Sequence, residues 1–220
     1  MKKENQPLSI EKIKTAYSER SGEIRAKLSE FEGVWRAESD ERLWEEMVFC
    51  FFTGGCSARM GLRSVEAVRH LLLSGNQAEL AHALRGKHRY PNARSGYIVA
   101  SRDFLQEHCD LKLRRKLESF ENHLERRDWL VKEKRIKGLA YKEASHFLRN
   151  IGLKGYAILD KHILRSLAEL KIIDDPKPPN TRAKYLAIEE KLKDLARATE
   201  IGFDELDLVL WSMKTGEILK

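Results

Sequence analysis

The stretch Ile136-Lys-Gly-Leu-Ala-Tyr-Lys-Glu-Ala-Ser-His-Phe-Leu-Arg-Asn-Ile-Gly152, continued by Leu153-Lys-Gly-Tyr-Ala-Ile-Leu-Asp-Lys-His-Ile-Leu164, decides how the chain is read. It sets a tight glycine-containing hairpin before a helix and places Lys142 in that helix's first turn. Asp160 follows at the start of the next helix. Three chemical capacities stand side by side. Backbone N–H groups of the hairpin and helix N-terminus can hold a phosphate. A lysine amine can attack carbon, and a carboxylate can stabilise a developing cation.

On a helical projection of Tyr141–Ile151, Ala144, Phe147, Leu148 and Ile151 form one apolar face. Lys142, Ser145, His146 and Arg149 gather on the other, so Lys142 is expected to face solvent or a cleft. Positive charge at His146 and Arg149 favours the uncharged amine that nucleophilic attack requires. Asp160 also reads as an ordinary helix N-cap; both roles fit one carboxylate, one oxygen capping while the other stays available. Around the hairpin, Lys137 and Gly138 can supply a phosphate with charge and a tight turn, and Ala140 and Tyr141 can add a backbone N–H and a hydroxyl.

Working outward, the rest of the chain is helical in pattern. Apolar residues recur with helical spacing in Ile10–Phe31, Glu41–Phe52, Val65–Leu73, Ala78–Leu84, Ala93–Gln106 and Leu113–Leu124. They do so again in Tyr141–Ile151, Lys161–Leu170, Thr181–Thr199 and Phe203–Lys214. Ser39 or Asp40, Asn76 and Asn180 are start signals. No run alternates with period two, so the expected class is all-α. Breakers fall at Thr53-Gly-Gly55, Ser74-Gly75 and Tyr90-Pro91-Asn92. The segment Asp174-Asp-Pro-Lys-Pro-Pro179 reads as a linker able to carry the chain from one helical subdomain to another. The expected architecture is two-lobed: a central lobe over 35–155, and a second, discontinuous lobe built from 1–34 and 156–220. The site would lie in the cleft between them.

Composition bounds the partners. The chain has 220 residues, and lysine plus arginine (41) exceed aspartate plus glutamate (34), giving a formal charge of +7. An excess of positive charge suits a polyanion, whose condensed counterions are released on binding. No apolar run reaches the length of a membrane span, and the basic N-terminus has no apolar core behind it, so neither membrane insertion nor a signal peptide is expected. Cys50, Cys56 and Cys109 have the spacing of neither a zinc site nor a disulfide framework and read as small residues of a cytoplasmic protein.

At these motifs the chain resembles the helix-hairpin-helix DNA glycosylases of the endonuclease III superfamily. Their Leu-Pro-Gly-Val-Gly-x-Lys followed by Val-Asp-x-His appears here as Ile136-Lys-Gly-Leu-Ala-Tyr-Lys142 and Leu159-Asp-Lys-His162. Within the superfamily it is similar to the type 2, archaeal-type 8-oxoguanine DNA glycosylases, through Ala140–Asn150, Phe52-Thr-Gly54, Arg89-Tyr-Pro-Asn92 and Leu206–Lys220. The resemblance implies a bifunctional glycosylase and AP lyase acting at the nucleoid on duplex DNA carrying 8-oxoguanine; a monomer is expected because no heptad or large apolar surface stripe stands out. Lys142 would be the nucleophile and Asp160 its electrostatic partner. Tyr90 and Trp211 would sandwich the extruded base, and the C-terminal Lys220 would tell it from guanine.

No cofactor is expected. The four-cysteine cluster of the iron–sulfur relatives is missing, and the hairpin carbonyls are the one place suited to a monovalent cation. Ala140 occupies the position of the second hairpin glycine; if that position demands a positive φ, the alanine would be strained. Tyr90 stands where the family pattern has phenylalanine; its ring still stacks, but its hydroxyl needs a partner. Two alternatives remain at this stage: the same chemistry on another damaged base, or a non-enzymatic DNA-binding module, which needs no particular residue at 142 or 160.

Overall fold

In a computed structural model, residues 7–219 are described. They form eleven α-helices and one short 3₁₀ turn, with no strand among them. The helices are α1 (Ile10–Arg36), α2 (Asp40–Thr53), α3 (Ala58–Val68), α4 (Gln77–Leu84), α5 (Pro91–Cys109) and α6 (Leu113–Glu118). After them come α7 (His123–Lys132), α8 (Tyr141–Asn150), α9 (Lys161–Glu169), α10 (Arg182–Thr199) and α11 (Phe203–Thr215). The all-α class is as the periodicity requires. Among the described residues no helix is long and apolar enough to cross a membrane.

Two compact units divide these residues, one holding 7–30 and 154–219, the other 31–153. The divisions fall a few residues before those read from the sequence. They also correct the reading of the proline-rich segment 174–179. It connects α9 to α10 inside one unit and links no two subdomains.

The unit of residues 31–153 is built on α2. Leu43, Trp44, Met47, Val48, Phe49, Cys50, Phe51 and Phe52 are all at most 1% exposed. The run Met47–Phe52 is apolar on every face and must be surrounded, and α3, α5, α6 and α8 pack on the helix. Each buried side chain of this size contributes roughly 1.5–3 kcal/mol. In the other unit α9 packs on α11, and α11 on α10. Its core includes Ile163, Leu164, Leu167, Tyr185, Leu192, Leu206, Val209 and Leu210.

Caps explain where the helix boundaries depart from expectation. Ser57 accepts a bond from the Met60 N–H, so α3 starts at Ala58, well before Val65, and ends in a 3₁₀ turn at Arg69–Leu71. Asn122 accepts from the Leu124 N–H and splits the expected Leu113–Leu124 helix into α6 and α7. Thr181, not Asn180, caps α10 by accepting from the Lys184 N–H. Side-chain oxygen at these positions satisfies N–H groups that a helix start leaves open. Apolar spacing alone carries no such information.

Candidate active site

The hairpin before α8 turns at Gly138, whose φ is +79°. A Cβ there would also lie 2.6 Å from Cδ2 of Tyr97, so both backbone and packing demand glycine. Gly138→Ala is expected to cost about 2–4 kcal/mol, from left-handed backbone strain and overpacking together. Urea unfolding of the variant measures it.

Ala140, by contrast, has φ −91° and ψ −177°, ordinary extended backbone. The strain that a second glycine would have relieved does not arise. No side chain caps α8, unlike α2, α3, α4, α7, α9 and α10. A helix start without a side-chain cap is a place where an external acceptor can serve as the cap. Two of the proposed phosphate contacts are spoken for within the unit. The Lys137 N–H donates to Ser101 Oγ (2.9 Å), and the Tyr141 hydroxyl donates to Asp128 Oδ1 (2.9 Å). What remains for a phosphate at these positions is the exposed Lys137 amine and the helix N-terminus.

Lys142 lies in the first turn of α8 with its side chain 24% exposed. The polar side of the helix is otherwise not solvated, contrary to the projection. Ser145, His146 and Arg149 are all buried. Arg127 donates to Ser145 Oγ (3.1 Å), His146 packs edge-on against Phe49, and Arg149 lies 4.8 Å from the Phe31 ring centre. These polar groups are therefore packing elements of α8. The charge that faces Lys142 is negative: its Nζ is 3.5 Å from Glu143 Oε1.

Glu143 leads on to the other expected residues of this unit. The turn at Thr53-Gly54-Gly55 runs beside it, since a Cβ on Gly54 would sit 3.7 Å from Glu143 Oε1 and 3.3 Å from Arg94 Nη2. Arg94 donates to the Gly54 carbonyl (2.6 Å) and lies over two rings, Tyr97 at 5.0 Å and Tyr90 at 5.6 Å. Tyr90 as a residue is 40% exposed, and the Arg89 guanidinium also lies 5.2 Å from its ring centre. Hairpin, lysine, glycine turn and Tyr90 are thus joined through Glu143, Arg94 and Tyr97. None of those three is distinguishable in the sequence from an ordinary surface residue.

In the other unit Asp160 caps α9. Its Oδ1 accepts from the N–H groups of His162 (2.7 Å) and Ile163 (2.9 Å), leaving Oδ2 outside the cap. Burial lowers the His162 imidazole below its ordinary value, against the pull of Asp160 and in concert with Lys161, Arg165 and Lys214.

The segment leading to Asp160 is irregular but held. The Gly155 N–H donates to Asp204 (3.0 Å) and the Ala157 N–H to Glu189 (3.0 Å). The Tyr185 hydroxyl donates to the Ala157 carbonyl (2.7 Å) and accepts from the Leu159 N–H (3.4 Å). Tyr185 and Glu189 are 2% and 1% exposed, and they fix the backbone that presents Asp160. Tyr185→Phe leaves a buried carbonyl and N–H unpaired. It should cost about 1–3 kcal/mol in urea unfolding.

Trp211, in α11, is half-buried and stands apart from the fully buried Leu206, Leu208, Val209 and Leu210. Periodicity alone would have put it in the core. Lys220 lies outside the described residues.

Residues 24–201 match the family described as 8-oxoguanine DNA glycosylase. An 8-oxoguanine DNA glycosylase/AP lyase of Korarchaeum cryptofilum is 42% identical over 198 residues, 90% of each chain. One from Fusobacterium nucleatum is 35% identical over the full length of both. The solved structure of the Methanocaldococcus jannaschii 8-oxoguanine glycosylase/lyase, in complex with a 15mer DNA containing 8-oxoguanine, superposes with a TM-score of 0.87 at 36% identity. The match covers 96% of this chain and 99% of that one. The chain belongs to the 8-oxoguanine DNA glycosylase family, in the archaeal type that its motifs resemble.

Proposed function

We propose that the protein excises 8-oxoguanine from duplex DNA and then cuts the strand at the resulting site, with Lys142 as nucleophile and Asp160 as its electrostatic partner. The observation that carries the reading is the placement of Lys142, in the first turn of a helix with no side-chain cap, directly behind the Gly138 hairpin. A phosphate bound at that N-terminus would hold the neighbouring sugar close to the amine.

In the proposed reaction the damaged nucleotide first leaves the stack, at a cost of a few kcal/mol. Lys142 Nζ, uncharged, bonds to C1′ as the C1′–N9 bond breaks and the base departs with the bonding pair. Positive charge develops on the sugar, and Asp160, ionised, offsets it while assisting removal of the amine's proton. Ring opening gives a Schiff base between C1′ and Nζ. Loss of a C2′ proton then expels the 3′-phosphate by β-elimination. Only side chains of the protein take part in these steps.

In this reading the exposed Tyr90 and the half-buried Trp211 flank the extruded base. Lys137, Gly138, Ala140 and Tyr141 line the backbone contact, where the hairpin carbonyls are also the candidate seat for a monovalent cation. Lys220 reads the base. The protein would work as a monomer in the cytoplasm, on nucleoid DNA.

The test is release of free base and appearance of the β-elimination product on a duplex with one 8-oxoguanine, beside the same duplex with guanine. Both should form only on the damaged duplex, and equal processing of the two would refute the substrate. Deleting Lys220 should lower the 8-oxoguanine to guanine rate ratio by about ten-fold or more, since a lost polar contact to the base removes discrimination. Affinity for undamaged duplex should change by less than about two-fold, because phosphate contacts carry it.

A further inference from the structure

His88 is 6% exposed, and both of its ring nitrogens are occupied by backbone. Nε2 lies 3.1 Å from the Phe52 carbonyl oxygen, and the Tyr90 N–H donates to Nδ1 over 2.9 Å. A carbonyl only accepts and an amide N–H only donates. The two partners therefore define one state of the ring: a neutral imidazole with its proton on Nε2.

What the ring joins gives this its interest. Phe52 is the penultimate residue of α2, immediately before the Thr53-Gly54-Gly55 turn, and Tyr90 is the residue that enters α5. The imidazole also packs against both side chains, 5.2 Å from the Phe52 ring and 6.1 Å from that of Tyr90. Arg94 ties the same two segments a second time, through its bond to the Gly54 carbonyl and its place over the Tyr90 ring. The two ties differ in one respect. Arginine keeps its charge at every working pH, whereas histidine does not.

We infer that His88 is the positioning residue for Tyr90: its neutral imidazole, bridging the Phe52 carbonyl and the Tyr90 N–H, sets the ring against the damaged base, and discrimination falls when His88 takes up a proton. A proton on Nδ1 would place donor against donor at the Tyr90 N–H, and that bond would break. The groups that face His88 act in known directions. Burial against α2 lowers its affinity for a proton, the Phe52 carbonyl opposes this, and Arg94 of α5 lowers it further. Lys87, Arg89 and the Tyr90 phenol flank it on its own segment. Protonation is therefore displaced to lower pH than that of an ordinary histidine. The inference rests on the proposed role of Tyr90 in recognising 8-oxoguanine.

The experiment uses Lys142→Gln as background, which removes both the chemistry and the titration of the amine. The affinity ratio between an 8-oxoguanine duplex and an undamaged duplex is measured from pH 7.5 to pH 5.0. The ratio should fall as His88 takes up its proton, by about ten-fold once the ring is fully charged, the equivalent of one lost buried hydrogen bond. His88→Gln added to this background can still donate to Phe52 and accept from Tyr90 but cannot be protonated. It should hold the ratio flat and within about three-fold of the neutral-pH value, while His88→Ala should be low throughout. A ratio that still falls with acid in His88→Gln, or stays high in His88→Ala, overturns the inference alone. No preference for the damaged duplex at any pH overturns the substrate reading and the inference with it. Independently of any DNA, ¹⁵N spectra of the wild-type imidazole at pH 7.5 should show the proton on Nε2; a proton on Nδ1 would refute the bridge.

Discussion

Lys142→Gln should lower strand cleavage at an 8-oxoguanine site by at least about a thousand-fold while leaving the protein folded and bound to DNA. The size of the effect follows from the chemistry. Without a nucleophilic amine no covalent link to C1′ forms, and without the Schiff base the C2′ proton is not acid enough to be lost. Stability should change little, for two reasons. The ion pair to Glu143 is partly exposed, and pairs of that kind contribute about 0–1 kcal/mol. A lysine in the first turn also opposes the helix dipole, so glutamine is not at a disadvantage there. Affinity for duplex should stay within about three-fold, set mainly by phosphate contacts elsewhere. Cleavage at wild-type rate in this variant would remove Lys142 from the mechanism.

The second large effect is expected at Asp160, and the choice of substitution separates its two roles. Asparagine caps a helix as well as aspartate. Asp160→Asn should keep the bonds from the His162 and Ile163 N–H groups, with unfolding free energy within about 1 kcal/mol of wild type. It removes the charge that would face the developing cation, and base release should fall by about a hundred- to a thousand-fold. Asp160→Ala adds loss of the cap, about 1 kcal/mol, to the same loss of rate. If Asp160→Asn were fully active, the residue would be a cap and nothing more.

Much of this arrangement is legible in the sequence because it is local. A glycine turn, a lysine in the next helical turn and an aspartate before Lys161 are fixed by spacing along one short stretch. Asp160 as a cap follows from the same spacing. The helices themselves follow from apolar period, although their limits depend on Ser57, Asn122 and Thr181, single oxygens that leave the pattern unchanged.

The rest is hidden because it depends on contacts between distant parts of the chain. The helical projection treats every polar residue of α8 as solvated. Ser145, His146 and Arg149 are instead buried because Arg127, Phe49 and Phe31 give them partners. Glutamate beside lysine in a helix is commonplace, so Glu143 carried no signal. Tyr185 and Glu189 meet the Asp160 segment only once α10 has folded back on it. His88 likewise becomes meaningful only when Phe52, 36 positions away, supplies a carbonyl.

The most direct test of the central claim is reduction with sodium borohydride during reaction on a duplex carrying one 8-oxoguanine, followed by mass mapping of the cross-linked peptide. A covalent protein–DNA adduct attached to Lys142 and absent from Lys142→Gln is expected. An adduct at another lysine or at the N-terminal amine, or excision with no trappable adduct, would contradict that claim.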